Sequence, residues 1–119
     1  MNWFKKLRGG GSDVPPSPQH AVMIHYELSG EFGSDSEREA LFKLEDVLEA
    51  KVEAANAGEL DGNEFGDGEA VIYLYGPDAD RLWQVVEPDV RAFPARPAHA
   101  ILRYGGAEDA SARERMIDL

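Results

Sequence analysis

A chain of 119 residues without cysteine is long enough to bury one core unaided, and it excludes disulfides, thiolate metal sites and cysteine nucleophiles. Twelve Lys and Arg stand against 23 Asp and Glu, and because Lys5, Lys6 and Arg8 precede the first acid, the rest carries 9 basic against 23 acidic side chains. A body of that sign repels phosphate backbones, so nucleic acid is not an expected partner. The high acidity serves solubility or attracts a basic partner.

No apolar run approaches the roughly 18 residues of a membrane span, and the N-terminus lacks the apolar middle of a secretory signal. Stable membrane insertion is therefore not expected, and the cytoplasm is the default location. Met1–Gly10 sets Trp3, Phe4 and Leu7 on one side at helical spacing beside three cations. It reads as a loosely docked terminus or a weak interfacial anchor. Gly9–Gln19 is a linker by composition, glycine-rich and then proline-rich. Residues 1–19 thus form a flexible basic terminus and linker, and residues 20–119 a single domain.

His20–Leu28 alternates as a strand with apolar groups on both sides. Ser34-Asp-Ser-Glu37 and Ser36-Glu-Arg-Glu39 both match a capping box, in which hydroxyl and carboxylate satisfy orphan backbone donors. A long helix follows on Leu41, Leu44, Leu48, Val52 and Ala55, supported by a Glu39–Lys43 pair and stopped at Asn56-Ala-Gly58. Glu59–Phe65 reads as a polar edge strand, turned by Gly66-Asp-Gly68 into Glu69–Tyr75. Gly76-Pro-Asp78 opens a second helix, buried through Leu82, Val85, Val86, Val90 and Phe93 with Trp83 flanking. Pro88 removes a backbone donor, which predicts a kink or restart around Glu87. His99–Tyr104 is the last main strand, and a helical turn is expected in Glu108–Arg113. Arg115–Leu119 reads as an added edge strand or a short terminal helix.

Strand, helix, strand, strand, helix, strand is the ferredoxin-like βαββαβ order: an α+β sandwich with an antiparallel sheet and both helices on one face. Its expected core is Ile24, Leu44, Leu48, Ile72, Leu74, Val86 and Leu102. The run Asp61-Gly-Asn-Glu-Phe-Gly-Asp-Gly-Glu69, with Tyr73-Leu-Tyr-Gly-Pro-Asp-Ala-Asp80 and Arg103-Tyr-Gly105, resembles a family of small uncharacterised bacterial ferredoxin-like proteins. The resemblance spans His20 to the C-terminus. It implies the fold and no activity.

The acids Asp61, Asn63, Glu64, Asp67 and Glu69 invite a calcium-loop reading. Yet Phe65 and Ile72 stand where ligands are needed and no helix–loop–helix surrounds them. Gly62, Gly66 and Gly68 have no phosphate-cradle spacing. His20, His25 and His99 supply no third zinc ligand to a His25–His99 pair. No cofactor, metal or catalytic set is expected. Parity instead points to the sheet face without helices, where Met23, His25, Val71, Tyr73, Tyr75, Ile101 and Arg103 would form an apolar-aromatic patch. The candidate binding residues are His25, Tyr73, Tyr75, Ile101 and Arg103 on that face, with Asp61, Glu64 and Asp67 in the adjacent loop. The expectation is a non-catalytic module binding a protein partner or a second copy of itself. The alternatives are a small-molecule sensor or enzyme with a pocket on that face, and an acidic inhibitor of a basic partner.

Overall fold

The computed structural model describes residues 19–106 and 108–119; the expected basic terminus and linker lie outside these except for Gln19. Five strands and two helices follow in the order β1 (His20–Glu27), α1 (Asp35–Ala54), β2 (Glu59–Gly66), β3 (Glu69–Gly76), α2 (Ala79–Ala92), β4 (Ala98–Arg103) and β5 (Glu114–Asp118). The strands make one sheet in the order β2-β3-β1-β4-β5, antiparallel throughout. It is an α+β fold. Of the two expected forms of the C-terminus, the strand is the one present, paired with β4 from His99↔Asp118 to Arg103↔Glu114.

Side chains alternate across a strand, so register decides which residues meet the helices. Val22, Ile24, Tyr26, Ala70, Ile72, Leu74, Ala100 and Leu102 point to the helix side and join Leu41, Leu44, Leu48, Val52, Leu82, Trp83, Val86 and Val90 in one core. All seven expected core residues belong to it. Two polar groups enter this layer with partners. The Tyr26 hydroxyl donates to Val90 O (3.0 Å), and buried Glu45 accepts from Asn63 Nδ2 (2.6 Å). Burial pushes the Glu45 carboxyl above its ordinary range.

Local signals explain the boundaries. Of the two capping-box matches, Ser34 is the one that caps α1: Glu37 N–H donates to Ser34 Oγ (3.1 Å) and Ser34 N–H to Glu37 Oε1 (2.7 Å). Ser29 donates to the same carboxylate through its Oγ (2.6 Å) and its N–H (3.2 Å), and these bonds, with that of Ser34 N–H, hold the Glu37 carboxyl down at about 2. The β2–β3 hairpin turns on Asp67 (φ 55°) and Gly68 (φ 81°), the left-handed pair that a two-residue turn needs.

Three expectations are corrected. Helix α2 runs through Pro88 as one element and does not restart at Glu87. The missing amide frees only one carbonyl, while Val86 and Val90 on either side are fully buried and Phe93 N–H closes the end on Asp89 O. Glu39–Lys43 is not among the ion pairs of the described residues; Arg38–Asp35 and Lys51–Asp89 tie α1 instead, the latter reaching α2. Trp83 is buried in the core rather than flanking it, and Val85 and Phe93 are only half-buried.

After α1 the chain must pass very close to the end of β3. Gly58 has φ 149°, and a Cβ there would stand 2.2 Å from Tyr75 O. Backbone strain of this kind is worth about 1–3 kcal/mol before the clash is added. Gly58→Ala is therefore expected to lower the unfolding free energy, read from urea titration, by at least that amount. Ser34→Ala, which removes only the cap, should lose about 1 kcal/mol.

Candidate functional site

The sheet face opposite the helices carries a second, smaller cluster: Ala21, Met23, Val71, Tyr73 and Tyr75, with Ile101 against it. Pairing arranges it in three rows that run across the strands. The middle row is Gly62, Tyr73, Met23, Ile101 and Met116, with no charge in it. One flanking row is Glu59, Tyr75, Ala21, Arg103 and Glu114; the other is Glu64, Val71, His25, His99 and Asp118. Both flanking rows therefore begin and end on carboxylates. The result is an apolar band bordered by acids.

The Tyr73 hydroxyl donates to the Glu64 carboxylate, and Glu59 stands opposite Tyr75 on the neighbouring strand. Burial raises both phenols above their ordinary range. For Tyr73 the Glu64 bond and the Glu64 and Glu69 charges add to it; for Tyr75 the charges of Glu59 and Asp61 come next.

His25 and His99 stack with ring centroids 4.4 Å apart and planes 10° from parallel. His25 Nδ1 lies 3.2 Å from Glu69 Oε1. Desolvation lowers the pKa of His99, and the neighbouring His25 lowers it further. The stacked imidazole pair contributes aromatic surface to the face. His20 serves elsewhere, its Nδ1 accepting the Ala79 N–H (3.1 Å) at the start of α2.

Arg103 is fully engaged within the fold. It donates to the Glu114 carboxylate (3.1 Å), to Gly106 O (3.3 Å) and to Asp109 O, tying β5 and its connection to β4. It stands two rows from His25, roughly 13 Å along the strands at about 3.3 Å per residue. His25, Tyr73, Tyr75, Ile101 and Arg103 thus share the expected face without converging on a point.

Asp61, Glu64 and Asp67 do not gather as a loop. Asp61 sits at the β2 irregularity between Leu60 and Gly62, Glu64 lies within the strand, and Asp67 is in the hairpin turn. Asn63 points to the helix side, toward Glu45. An extended strand cannot wrap these acids around one ion, and no metal-binding group of three side chains occurs among the described residues.

Sequence reasoning did not include Met116, 64% exposed at the end of the middle row, because its facing depends on how β5 pairs. It also did not assemble the acidic ends, which belong to different strands. An apolar cleft of about 310 Å³ lies on the other side of the molecule, between the N-terminal half of α1 and Phe93, Pro94 and Ala95.

Met23, Val71, Tyr73 and Tyr75 are each under a tenth exposed, and the cluster they form consists, among the described residues, of strand side chains. Both helices pack on the opposite side.

No helix among the described residues is long and apolar enough to cross a membrane. The chain matches no protein-family model, no curated protein and no solved structure.

Tyr26, Tyr73, Tyr75 and Tyr104 are all the tyrosines of the chain, and all four phenols are raised, burial being the leading cause for each. A raised folded pKa gives stability that is whole below the unfolded phenol range, about 10, and is lost as pH climbs through the folded values. Phenolate absorbance should therefore stay low at pH 10 in the native protein, then appear together with unfolding. Gradual titration of any tyrosine near pH 10 without unfolding would contradict this packing.

Proposed function

We propose that this domain is a non-catalytic, acidic binding module of ferredoxin-like type, and that its working surface is the sheet face around Tyr73 and Tyr75. The fold assignment is supported by the order β2-β3-β1-β4 with both helices on one side, to which β5 adds an edge. The function rests on one observation: an uncharged apolar row flanked by rows that end in Glu59, Glu64, Glu114 and Asp118. Large apolar surface supplies affinity, and a charged border supplies orientation and partner choice.

The partner that fits is a protein segment with aromatic or aliphatic groups along its middle and Lys or Arg at its margins. This reading joins the protein-binding expectation to that of an acidic protein with a basic partner. A self-associating surface is the same reading with a second copy as partner. The pocket reading is less well supported, since His25 and Arg103 are apart and Arg103 is engaged within the fold.

Selection of random peptides against the full chain tests it. Selected peptides should be enriched in aromatic residues and in Lys and Arg, and Tyr73→Ala plus Tyr75→Ala should weaken them at least tenfold while circular dichroism stays native. Raising the salt from about 0.1 M to about 1 M, which shortens the Debye length from roughly 10 Å to 3 Å, should weaken them further. Peptides bound equally well by the double variant would sink the proposal.

A further inference from the structure

The sheet ends on β2 at one edge and on β5 at the other, and the two edges differ. Strand β2 is half-buried along most of its length and interrupted between Leu60 and Gly62, an irregularity of the kind that blunts an edge. Strand β5 pairs with β4 without a break, and its Glu114, Arg115, Met116 and Asp118 are exposed. We infer that this edge is a binding site of its own, at which β5 takes up an extended segment of a partner protein as an added antiparallel strand. The segment it fits carries Lys or Arg, an apolar residue, and Lys or Arg at alternate positions. The site goes beyond the proposed face and does not depend on Tyr73 or Tyr75.

Backbone geometry carries the first step. Tyr104 N–H donates to Arg113 O (2.9 Å) and Leu119 N–H to Ala98 O (3.0 Å). Both bonds continue the register that runs from Arg103↔Glu114 to His99↔Asp118. In an antiparallel pair the N–H and C=O of a residue point to the same side, and the side alternates along the strand. Arg113, Arg115, Ile117 and Leu119 therefore turn their backbone groups to β4. Those of Glu114, Met116 and Asp118 turn outward, away from the sheet.

Side chains carry the second step. Glu114, Met116 and Asp118 lie on the helix-free face, in line with Arg103, Ile101 and His99. Arg115 and Ile117 point the other way, Arg115 toward Asp80 of α2 (3.9 Å) and Ile117 against the helix-side core. One set fastens β5 to the body. The other presents outward donors and acceptors beside an acid, a methionine and an acid, with Met116 64% exposed.

An added strand sets its own side chains opposite these three. Cations opposite Glu114 and Asp118 and an aliphatic group opposite Met116 make each cross-strand pair favourable. The backbone bonds supply affinity and the alternate side chains choose the partner. A second copy of β5 fits worse. Laid antiparallel with Met116 opposite Met116 it sets Glu114 against Asp118 twice, and centred on Arg115 it sets that cation against itself.

The probe is a synthetic peptide with Lys-Thr-Ile-Thr-Lys at its centre, titrated into the isotope-labelled full chain. Without peptide, the amides of Glu114, Met116 and Asp118 should exchange with solvent faster than those of Arg115, Ile117 and Leu119. With peptide, the first three should shift and slow. Methylating the peptide's Ile nitrogen, which faces β5, should weaken binding about tenfold, whereas methylating the next Thr nitrogen, which faces away, should leave it unchanged. No saturable shift on β5, or equal sensitivity at both nitrogens, would overturn the inference.

Met116→Pro removes an outward donor and no bond to β4, so the circular dichroism spectrum should stay native while the peptide is lost. Asp118→Lys leaves Glu114 and its bond to Arg103 in place. It should favour Glu-Thr-Ile-Thr-Lys over Lys-Thr-Ile-Thr-Glu, because an antiparallel strand sets its N-terminal side against residue 118; no such preference contradicts the antiparallel site. A peptide lost from Tyr73→Ala plus Tyr75→Ala but kept by Met116→Pro would overturn the edge site and leave the proposed face standing. The reverse result leaves the edge site standing without the face. A solution mass that rises with concentration in the unsubstituted chain and not in Met116→Pro would overturn the inference in favour of a second copy.

Discussion

The pairing of β1 with β3 is the constraint on which the other features depend. These are adjacent interior strands, and in both of them successive residues are apolar on opposite sides. Because the side-chain period is two, a slip of one residue would exchange Val22, Ile24 and Tyr26 with Ala21, Met23 and His25. The helix-side core would then receive His25, and the opposite face would receive a buried tyrosine whose hydroxyl now meets Val90 O. Each complete burial of a Val, Leu, Ile or Met contributes roughly 1.5–3 kcal/mol. The register is therefore held from both sides of the sheet, which is uncommon for antiparallel sheets with one solvated face.

That two-sidedness explains why the polar groups sit at the borders. Strand β2 carries Glu59, Asp61 and Glu64 at the sheet edge, where an apolar strand would invite pairing with other chains. The acids also serve the face. The phenolic hydroxyl of Tyr73 needs an acceptor once it is buried, and Glu64 provides it, while Glu59 stands opposite Tyr75. Carboxylates placed there keep the phenols neutral and give the apolar band its negative edge. On the far side Arg103 anchors β5 through Glu114, which extends the band to Met116.

Much of this was legible in the sequence, and the reason is local. Alternation in His20–Leu28, Ala70–Tyr75 and His99–Tyr104 assigns each residue to a side without knowledge of its neighbours, so the helix-side core and the members of the open face follow directly. Ser34 with Glu37, and Asp67 with Gly68, are short-range signals of helix start and hairpin turn. What escaped was non-local. The persistence of α2 through Pro88 comes from the burial of Val86 and Val90 against other elements, which outweighs one lost backbone bond. The rows across the face depend on pairing between strands far apart in the chain.

The charge of the body bears on how such a face is tolerated. An apolar band attracts other chains, and the net negative charge opposes close approach of copies of this one. The carboxylates Glu59, Glu64, Glu114 and Asp118 at the row ends concentrate that repulsion beside the band itself. For a chain of opposite sign the same groups attract, so one border discourages self-pairing and favours a basic partner, and added salt weakens both effects.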